Sequence, residues 1–242
     1  MTKLRNDSRG IAHLLLIFII VGLVGAGGFA VWRINSYNNQ SDASGRATVG
    51  PDGSPSNSGA VSDECVALTG DENICRLGAI ADLSQYSSEV HMDLNGLASV
   101  VKYDGKGNSD TDIGDLGGGI TINGKNYIYV SDAWYDTGDD TSQAPKSAVP
   151  GFGFVTTAGI KYENLGKEPC GNDTCFKYRM SGGILGDDGV VVCWFGDEDF
   201  LPRRYESTGG LIGKLTMTVE YKAVTITAPA GAQPISNLEL GT

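Results

Sequence analysis

The chain has 242 residues, which is enough for one ordinary domain with extensions or for two small domains. Its 29 Asp and Glu residues outnumber 18 Lys and Arg residues, and the net charge of −11 excludes a general nucleic-acid binder, which needs a basic face. With only two histidines, His13 and His91, most histidine-dependent catalysis and His-rich metal sites are also excluded.

The first strong feature along the chain is the uncharged run 11–31, IAHLLLIFIIVGLVGAGGFAV, which is long enough to cross a bilayer as a helix. Trp32 follows at the position of an interfacial aromatic residue. Three basic residues precede the run: Lys3, Arg5 and Arg9. Because basic flanks stay inside the cell, we expect a cytoplasmic N-terminus over 1–10, a transmembrane helix over 11–33 and export of everything that follows.

Two alternatives to a retained helix stay open. A secretory signal could be cleaved after Ala30, where small residues suit a signal peptidase. A pilin-type leader is a weaker alternative, because Leu15 stands where pilins carry a glutamate. The signal-peptide reading also exports the rest of the chain.

Residues 34–62 form a segment that is rich in Ser, Gly, Asn and Asp and almost free of large apolar residues. Such a segment buries too little apolar surface to offset its ordering entropy. The sequence therefore predicts a flexible linker over 34–62 and an exported domain over 63–242.

A β-hairpin is predicted where Asn123-Gly124 separates GGITI from KNYIYV. Pairing Ile122 with Lys125 puts Ile120 opposite Tyr127. Ile120, Ile122, Tyr127 and Tyr129 then share one face of the sheet.

Further β-type runs cover 159–169, 175–182, 189–195, 202–207 and 214–229. In the last run the apolar alternation slips after Tyr221, which predicts a β-bulge near Ala223. Weak helical patterns occur only between about residues 64 and 84. These patterns predict an α+β domain dominated by one antiparallel sheet, with few short helices.

Five cysteines in an exported domain indicate disulfide bonds. Cys170 and Cys175 flank a short turn and should face each other across a hairpin, while Cys65 and Cys75 form the other local pair. Cys193 is left over in an apolar run, where we expect a buried thiol.

The motifs that carry chemistry in other proteins are incomplete here. Asn108, Asp110, Asp112 and Asp115 resemble a calcium loop, but the glycine spacing is wrong and no closing glutamate follows, so we interpret them as a solvated turn. The segment 119–126, GITINGKN, lacks the Ser or Thr that a phosphate-binding loop needs after its lysine. The sequence therefore predicts no catalytic residue, no metal ion and no cofactor.

Four phrases in chain order resemble one superfamily: ITINGKNYIYVSDAWYDT, YENLGKEPCGNDTCFKYRMS, VVVCWFGDEDFLPRRYES and MTVEYKAVTITAP. From Tyr86 to Pro229 the chain is similar to the outer-membrane lipoprotein carriers LolA and LolB and to their LppX-type relatives. The resemblance implies an incomplete β-barrel that curls around an apolar cavity, with helices or loops as a lid and acyl chains as ligands.

Together these observations suggest a membrane-anchored extracytoplasmic domain that binds a lipid or another apolar ligand without covalent chemistry. Four aromatic residues are candidates to line the cavity: Trp134, Phe152, Phe154 and Trp194. The alternative is a structural or adhesive cell-surface protein whose interior is filled by side chains. The sequence names no protein partner.

The topology is testable on intact cells or spheroplasts. Protease added outside should degrade residues 60–242 and spare the N-terminus, because the basic flank holds 1–10 in the cytoplasm. Western blotting with tags at both ends measures this, and lysed cells serve as the control in which both tags are lost. A C-terminal tag that survives on intact cells would contradict the prediction.

Overall fold

The computed structural model describes residues 48–49, 55–56, 61, 63–78, 83–139, 159–210 and 213–238. Within these ranges, no helix is both long and apolar enough to cross a membrane. The predicted transmembrane helix over 11–33, most of the linker, and Phe152 and Phe154 lie outside the described residues.

Two short helices, α1 (Asp63–Thr69) and α2 (Glu72–Gly78), occupy the region of weak helical pattern. The Asp71 carboxylate begins α2 by accepting hydrogen bonds from the backbone N–H groups of Asn73 (2.8 Å) and Ile74 (3.3 Å). The predicted disulfide between Cys65 and Cys75 joins the two helices. The pair therefore forms a compact helical clip.

Fourteen strands are described, and twelve of them form one sheet in the order β14-β8-β7-β6-β5-β4-β3-β13-β12-β11-β10-β9. All pairs in it are antiparallel except β14 with β8. The strands are β1 (Thr48–Val49), β2 (Pro55–Ser56), β3 (Ser87–Leu94), β4 (Leu97–Asp104), β5 (Ser109–Asp112), β6 (Gly118–Ile122), β7 (Lys125–Val130), β8 (Ala133–Asp139), β9 (Ile160–Cys170), β10 (Asp173–Gly182), β11 (Val190–Gly196), β12 (Pro202–Thr208), β13 (Leu215–Tyr221) and β14 (Gln233–Pro234). The prediction of an α+β domain with one curled, unclosed antiparallel sheet is confirmed.

The predicted hairpin around Asn123-Gly124 is confirmed in its register. Ile120 pairs with Tyr127 and Ile122 with Lys125. Asn123 and Gly124 both have positive φ values, 52° and 75°, as a two-residue turn between twisted strands requires.

Two local predictions are wrong. The turn predicted over Asn108–Asp115 contains strand β5, because Ser109 and Thr111 alternate with outward-pointing Asp110 and Asp112. The bulge predicted near Ala223 does not form, because β13 ends at Tyr221, where its partner β3 begins.

The hydrophobic core lies on one face of the sheet, which we call the core face; the opposite face is the outer face. Ile74 and Leu77 of α2 and Leu83 are fully buried there. They pack in one cluster with side chains from β3, β4, β9–β13 and the adjoining turns: Tyr86, Val90, Val101, Tyr103, Ile160, Tyr178, Met180, Leu185, Val191, Cys193, Phe195, Leu201, Tyr205, Met217 and Val219. Among the described residues, no side chain of β5–β8 belongs to this cluster.

Strand β6 approaches its neighbours unusually closely. A Cβ atom on Gly118 would lie 2.5 Å from the carbonyl oxygen of Thr111, and one on Gly117, just before the strand, 2.4 Å from that of Tyr129. Only glycine permits this approach of the backbones. The glycines at 117 and 118 therefore fix how the β5–β8 half of the sheet is assembled.

A buried hydroxyl holds the helical clip on the sheet. Tyr178, fully buried in β10, donates a hydrogen bond of 2.6 Å to Asp71 and accepts one of 2.8 Å from the Asn164 side chain. Burial, together with the Asp71 carboxylate, raises the pKa of Tyr178 well above its usual value. The phenol is therefore a neutral donor at any physiological pH.

Replacing Tyr178 by Phe tests this contact. The change removes the donor of one oxygen of the part-buried Asp71 carboxylate and the acceptor of the Asn164 side chain, so we expect a loss of about 1–3 kcal/mol in the free energy of unfolding. Tyr129→Phe is the control, because the Tyr129 hydroxyl bonds at 3.4 Å to the exposed Asp132, and should change it by less than about 0.5 kcal/mol. Urea unfolding of the full chain measures both; equal values would show that the contact does not hold the clip.

Candidate ligand-binding face

The core face continues beyond the core cluster onto β5–β8. Residues directly opposite each other in neighbouring strands share a face. From Tyr103 of β4 one cross-strand row runs through Ser109, Thr121 and Asn126. The Thr121 hydroxyl donates a 2.8 Å hydrogen bond to the Asn126 side-chain oxygen. This row is polar but carries no charge.

A second row starts at Val101 and runs through Thr111, Gly119, Ile128 and Tyr135. Gly119 has no side chain, and a Cβ atom there would lie 3.3 Å from the carbonyl oxygen of Tyr127, so the sheet surface is low between Thr111 and Ile128. Tyr135 is buried, whereas Ile128 is half-buried. The row is apolar at its β7–β8 end, whereas Thr111 and Gly119 in its middle are small residues.

We give the name trough to the surface of these two rows beyond β4, together with Val130, which lies on the same face. It consists of the core-face residues Ser109, Thr111, Gly119, Thr121, Asn126, Ile128, Val130 and Tyr135. It lies beside the core cluster, on the same face, and combines an uncharged polar edge with an apolar floor.

Charge is strictly separated between the two faces in this half of the sheet. For the side chains that the structure describes in β3–β8, the acidic, basic and histidine residues all lie on the outer face: Glu89, His91, Asp93, Lys102, Asp104, Asp110, Asp112, Lys125 and Asp136. The trough is therefore bordered by neutral side chains within the described strands.

Trp134 lies on the outer face, in an aromatic patch. It pairs with Tyr129, and the two ring centroids are 5.2 Å apart. The patch consists of Ile120, Ile122, Tyr127, Tyr129 and Trp134. Of these residues Ile120 is buried and the others are half-buried.

Trp194 also lies on the outer face, but in β11, far across the sheet from Trp134. Its indole N–H donates a 2.5 Å hydrogen bond to Glu168. The Lys177 ammonium and the Arg204 guanidinium lie 4.9 Å and 5.0 Å from the ring centroid. Because of the indole and Lys177, the pKa of Glu168 is lowered. These contacts bury Trp194 to 6% exposure and link four strands.

The structure thus does not bring the predicted aromatic residues together. Trp134 and Trp194 occupy separate parts of the outer face, and Phe152 and Phe154 lie outside the described residues. Their contact with a ligand stays a prediction. The trough residues Ser109, Thr121 and Asn126 were missed, although the alternation of Ser109 and Thr111 with two aspartates was the signal that could have indicated them.

The cysteines are placed as the sequence predicts. Cys170 and Cys175 are bonded across the β9–β10 hairpin, with Cα atoms 5.8 Å apart. Cys193 is a buried free thiol in β11, and burial raises its pKa to about 12. A thiol in that state is a packing residue rather than a nucleophile.

Two other features bear on chemistry. Within the described ranges, no group of three or more His, Cys, Asp or Glu side chains is arranged to hold a metal ion.

A shallow cleft of about 320 Å³ lies where β14 and the following turn meet β8. It is lined by Asp136, Thr137, Gly138, Ala232, Pro234, Ile235 and Ser236.

An open, curled antiparallel sheet with a small helical clip on one face is the class of fold that these observations define. Similar solved structures include LprF from Mycobacterium bovis, with 13% identity, a TM-score of 0.44, and 72% of this chain and 100% of that chain covered. The lipoprotein LppX of Mycobacterium tuberculosis has 12% identity, a TM-score of 0.42, and coverage of 69% and 99%. The Pseudomonas aeruginosa MucA/MucB complex has 10% identity, a TM-score of 0.37, and coverage of 71% and 60%. The LppX type that the strand phrases resemble is thus among the similar structures.

No protein-family model and no curated protein sequence matches the chain.

The two tryptophans should differ sharply in their effect on stability. Trp194→Ala removes a buried ring from a four-strand contact and should cost about 3–5 kcal/mol in the free energy of unfolding. Trp134→Ala removes a half-buried ring and should cost less than about 2 kcal/mol. Urea unfolding of the full chain measures this; a small cost for Trp194→Ala would show that its contacts do not stabilise the sheet.

Proposed function

We propose that the protein is an exported, membrane-tethered domain that binds a lipid or another apolar ligand non-covalently in the trough. The proposal rests on the position at which the hydrophobic core cluster ends. The cluster under α2 ends at β4, whereas the same face continues over four more strands with small and apolar side chains.

The chemistry of the trough suits such a ligand. An apolar chain laid along Ile128 and Val130 gains about 25 cal/mol for each Å² removed from water, so binding needs no catalytic residue. The neighbouring core under α2 is packed and supplies a rigid wall, including the fully buried Val101 and Tyr103. The tether is proposed from the apolar run at 11–31 and its basic flank.

A second candidate function has its own supporting observation. The aromatic patch around Tyr127 and Trp134 lies on the outer face, away from the trough. Half-buried aromatic residues on a protein surface are typical of interfaces with other proteins. If the interior accepts no ligand, this patch favours a structural or adhesive surface protein.

Photo-crosslinking separates the two candidates. The full chain in lipid nanodiscs is irradiated with a diazirine-bearing acyl probe, in free-acid and in ester form, and adducts are mapped by mass spectrometry. We expect adducts within 109–135. The apolar run at 11–31, in contact with the nanodisc, provides an internal reference for labelling.

Two isoleucines supply matched variants for this experiment. Ile128 lies in the trough and Ile122 on the outer face, and both are half-buried. Ile128→Glu should lower the adduct yield within 109–135 at least about tenfold, because a carboxylate in the trough opposes an apolar chain. Ile122→Glu should leave it unchanged. An absence of adducts in this region, or equal effects of the two variants, would contradict lipid binding in the trough.

A further inference from the structure

We infer that the ligand of the trough carries an uncharged polar head, such as the hydroxyl and ester groups of an acylglycerol, and that the ionised form of a fatty acid is selected against. This inference rests on the proposed function, because it concerns the same surface. It is carried by the polar row of Ser109, Thr121 and Asn126 and by the absence of charge on the core face of the described strands β3–β8.

The row has hydrogen-bonding capacity that the described protein groups leave unused. Ser109 is only 8% exposed and makes no side-chain hydrogen bond to a described residue, although its oxygen is not among the fully buried atoms without a partner. Within the same ranges, the Asn126 side chain accepts one bond, from Thr121, and its amide N–H groups have no acceptor. A ligand that displaces water from the row would leave these groups unpaired unless it offers hydrogen-bonding atoms of its own, so the row favours a ligand with a polar head.

The positions of these groups define which polar head group of a ligand can bind along the row. The row crosses three neighbouring strands, and adjacent strands are separated by about 4.8 Å, so the side chains present hydroxyl, hydroxyl and amide groups in line. Amide N–H groups donate to carbonyl or ester oxygens, and hydroxyls both donate and accept. A glycerol ester offers acceptors and donors at this spacing, while its chain extends over Gly119 toward Ile128.

A charged head would not be compensated there. The lysines and the histidine of β3–β8 lie on the outer face: Lys102, Lys125 and His91. In the strands that the structure describes, the core-face cations are Lys167 and Arg203 of the β9–β12 half. Lys167 is already paired with Asp197, and Arg203 with Asp173 and Asp199. A carboxylate in the trough would therefore lose water without gaining a counter-ion, which opposes its binding.

Competition against the crosslinking probe tests the inference on the full chain in nanodiscs. Unlabelled 1-palmitoylglycerol and palmitic acid are compared at a pH of about 8, where the acid is ionised. We expect the ester to compete at concentrations at least about tenfold lower than the acid.

The ester and the acid differ in how they partition into the nanodisc. Charge variants on the two faces of the sheet control for this difference. Thr121→Lys places a cation in the polar row and should shrink or reverse the preference for the ester. Thr218→Lys makes the same change on the outer face of β13 and should leave the preference unchanged. Asn126→Asp keeps the side-chain shape and adds negative charge, so it should widen the preference even if Thr121→Lys does not fold.

The outcomes are distinguishable. Equal competition by acid and ester, or equal effects of Thr121→Lys and Thr218→Lys in folded proteins, would overturn the inference and leave lipid binding intact. An Asn126→Asp variant that does not widen the preference would overturn it as well. A failure of both compounds to compete would overturn the proposed function itself.

Discussion

The packing of α2 against one face of the sheet is the interaction on which the rest of the structure depends. Ile74 and Leu77 are fully buried among side chains of seven strands, and the Tyr178–Asp71 hydrogen bond fixes the clip in place. A helix of only seven residues covers a limited part of a twelve-stranded sheet. Because of this difference in size, the hydrophobic core is filled only under α2. The same face over β5–β8 carries no part of that core.

The two faces of the β5–β8 half divide the chemistry between them. The acidic residues and the aromatic patch lie on the outer face, whereas the core face carries only neutral side chains in the described strands, several of them small. At Gly117 and Gly118 the backbones of this half approach so closely that a side chain would clash with a neighbouring carbonyl oxygen. The trough therefore presents neutral side chains beside the packed core, which suits the acyl-chain site proposed above.

Much of the fold was predictable, because its signals are local. Asn123-Gly124 specifies the turn and thereby the register of β6 and β7, and the spacing of Cys170 and Cys175 specifies their bond. The errors arose where long-range pairing decides. Strand β5 contains two aspartates, and only its pairing with β4 and β6 makes it a strand rather than a turn. The segment after Tyr221 leaves the sheet because β3 begins at Ser87, which bonds to Lys222 and Val224 and has no strand residue before it.

The site is less predictable than the fold, because the large aromatic residues of the sequence do not mark the trough. Trp194 is instead held by two cations and a carboxylate on the outer face. Hydrogen–deuterium exchange of the full chain with and without 1-palmitoylglycerol tests the central claim most directly. The account predicts slower exchange of the amides in 109–130 and no change in β10–β12. Unchanged exchange in 109–130, or protection confined to β10–β12, would contradict it.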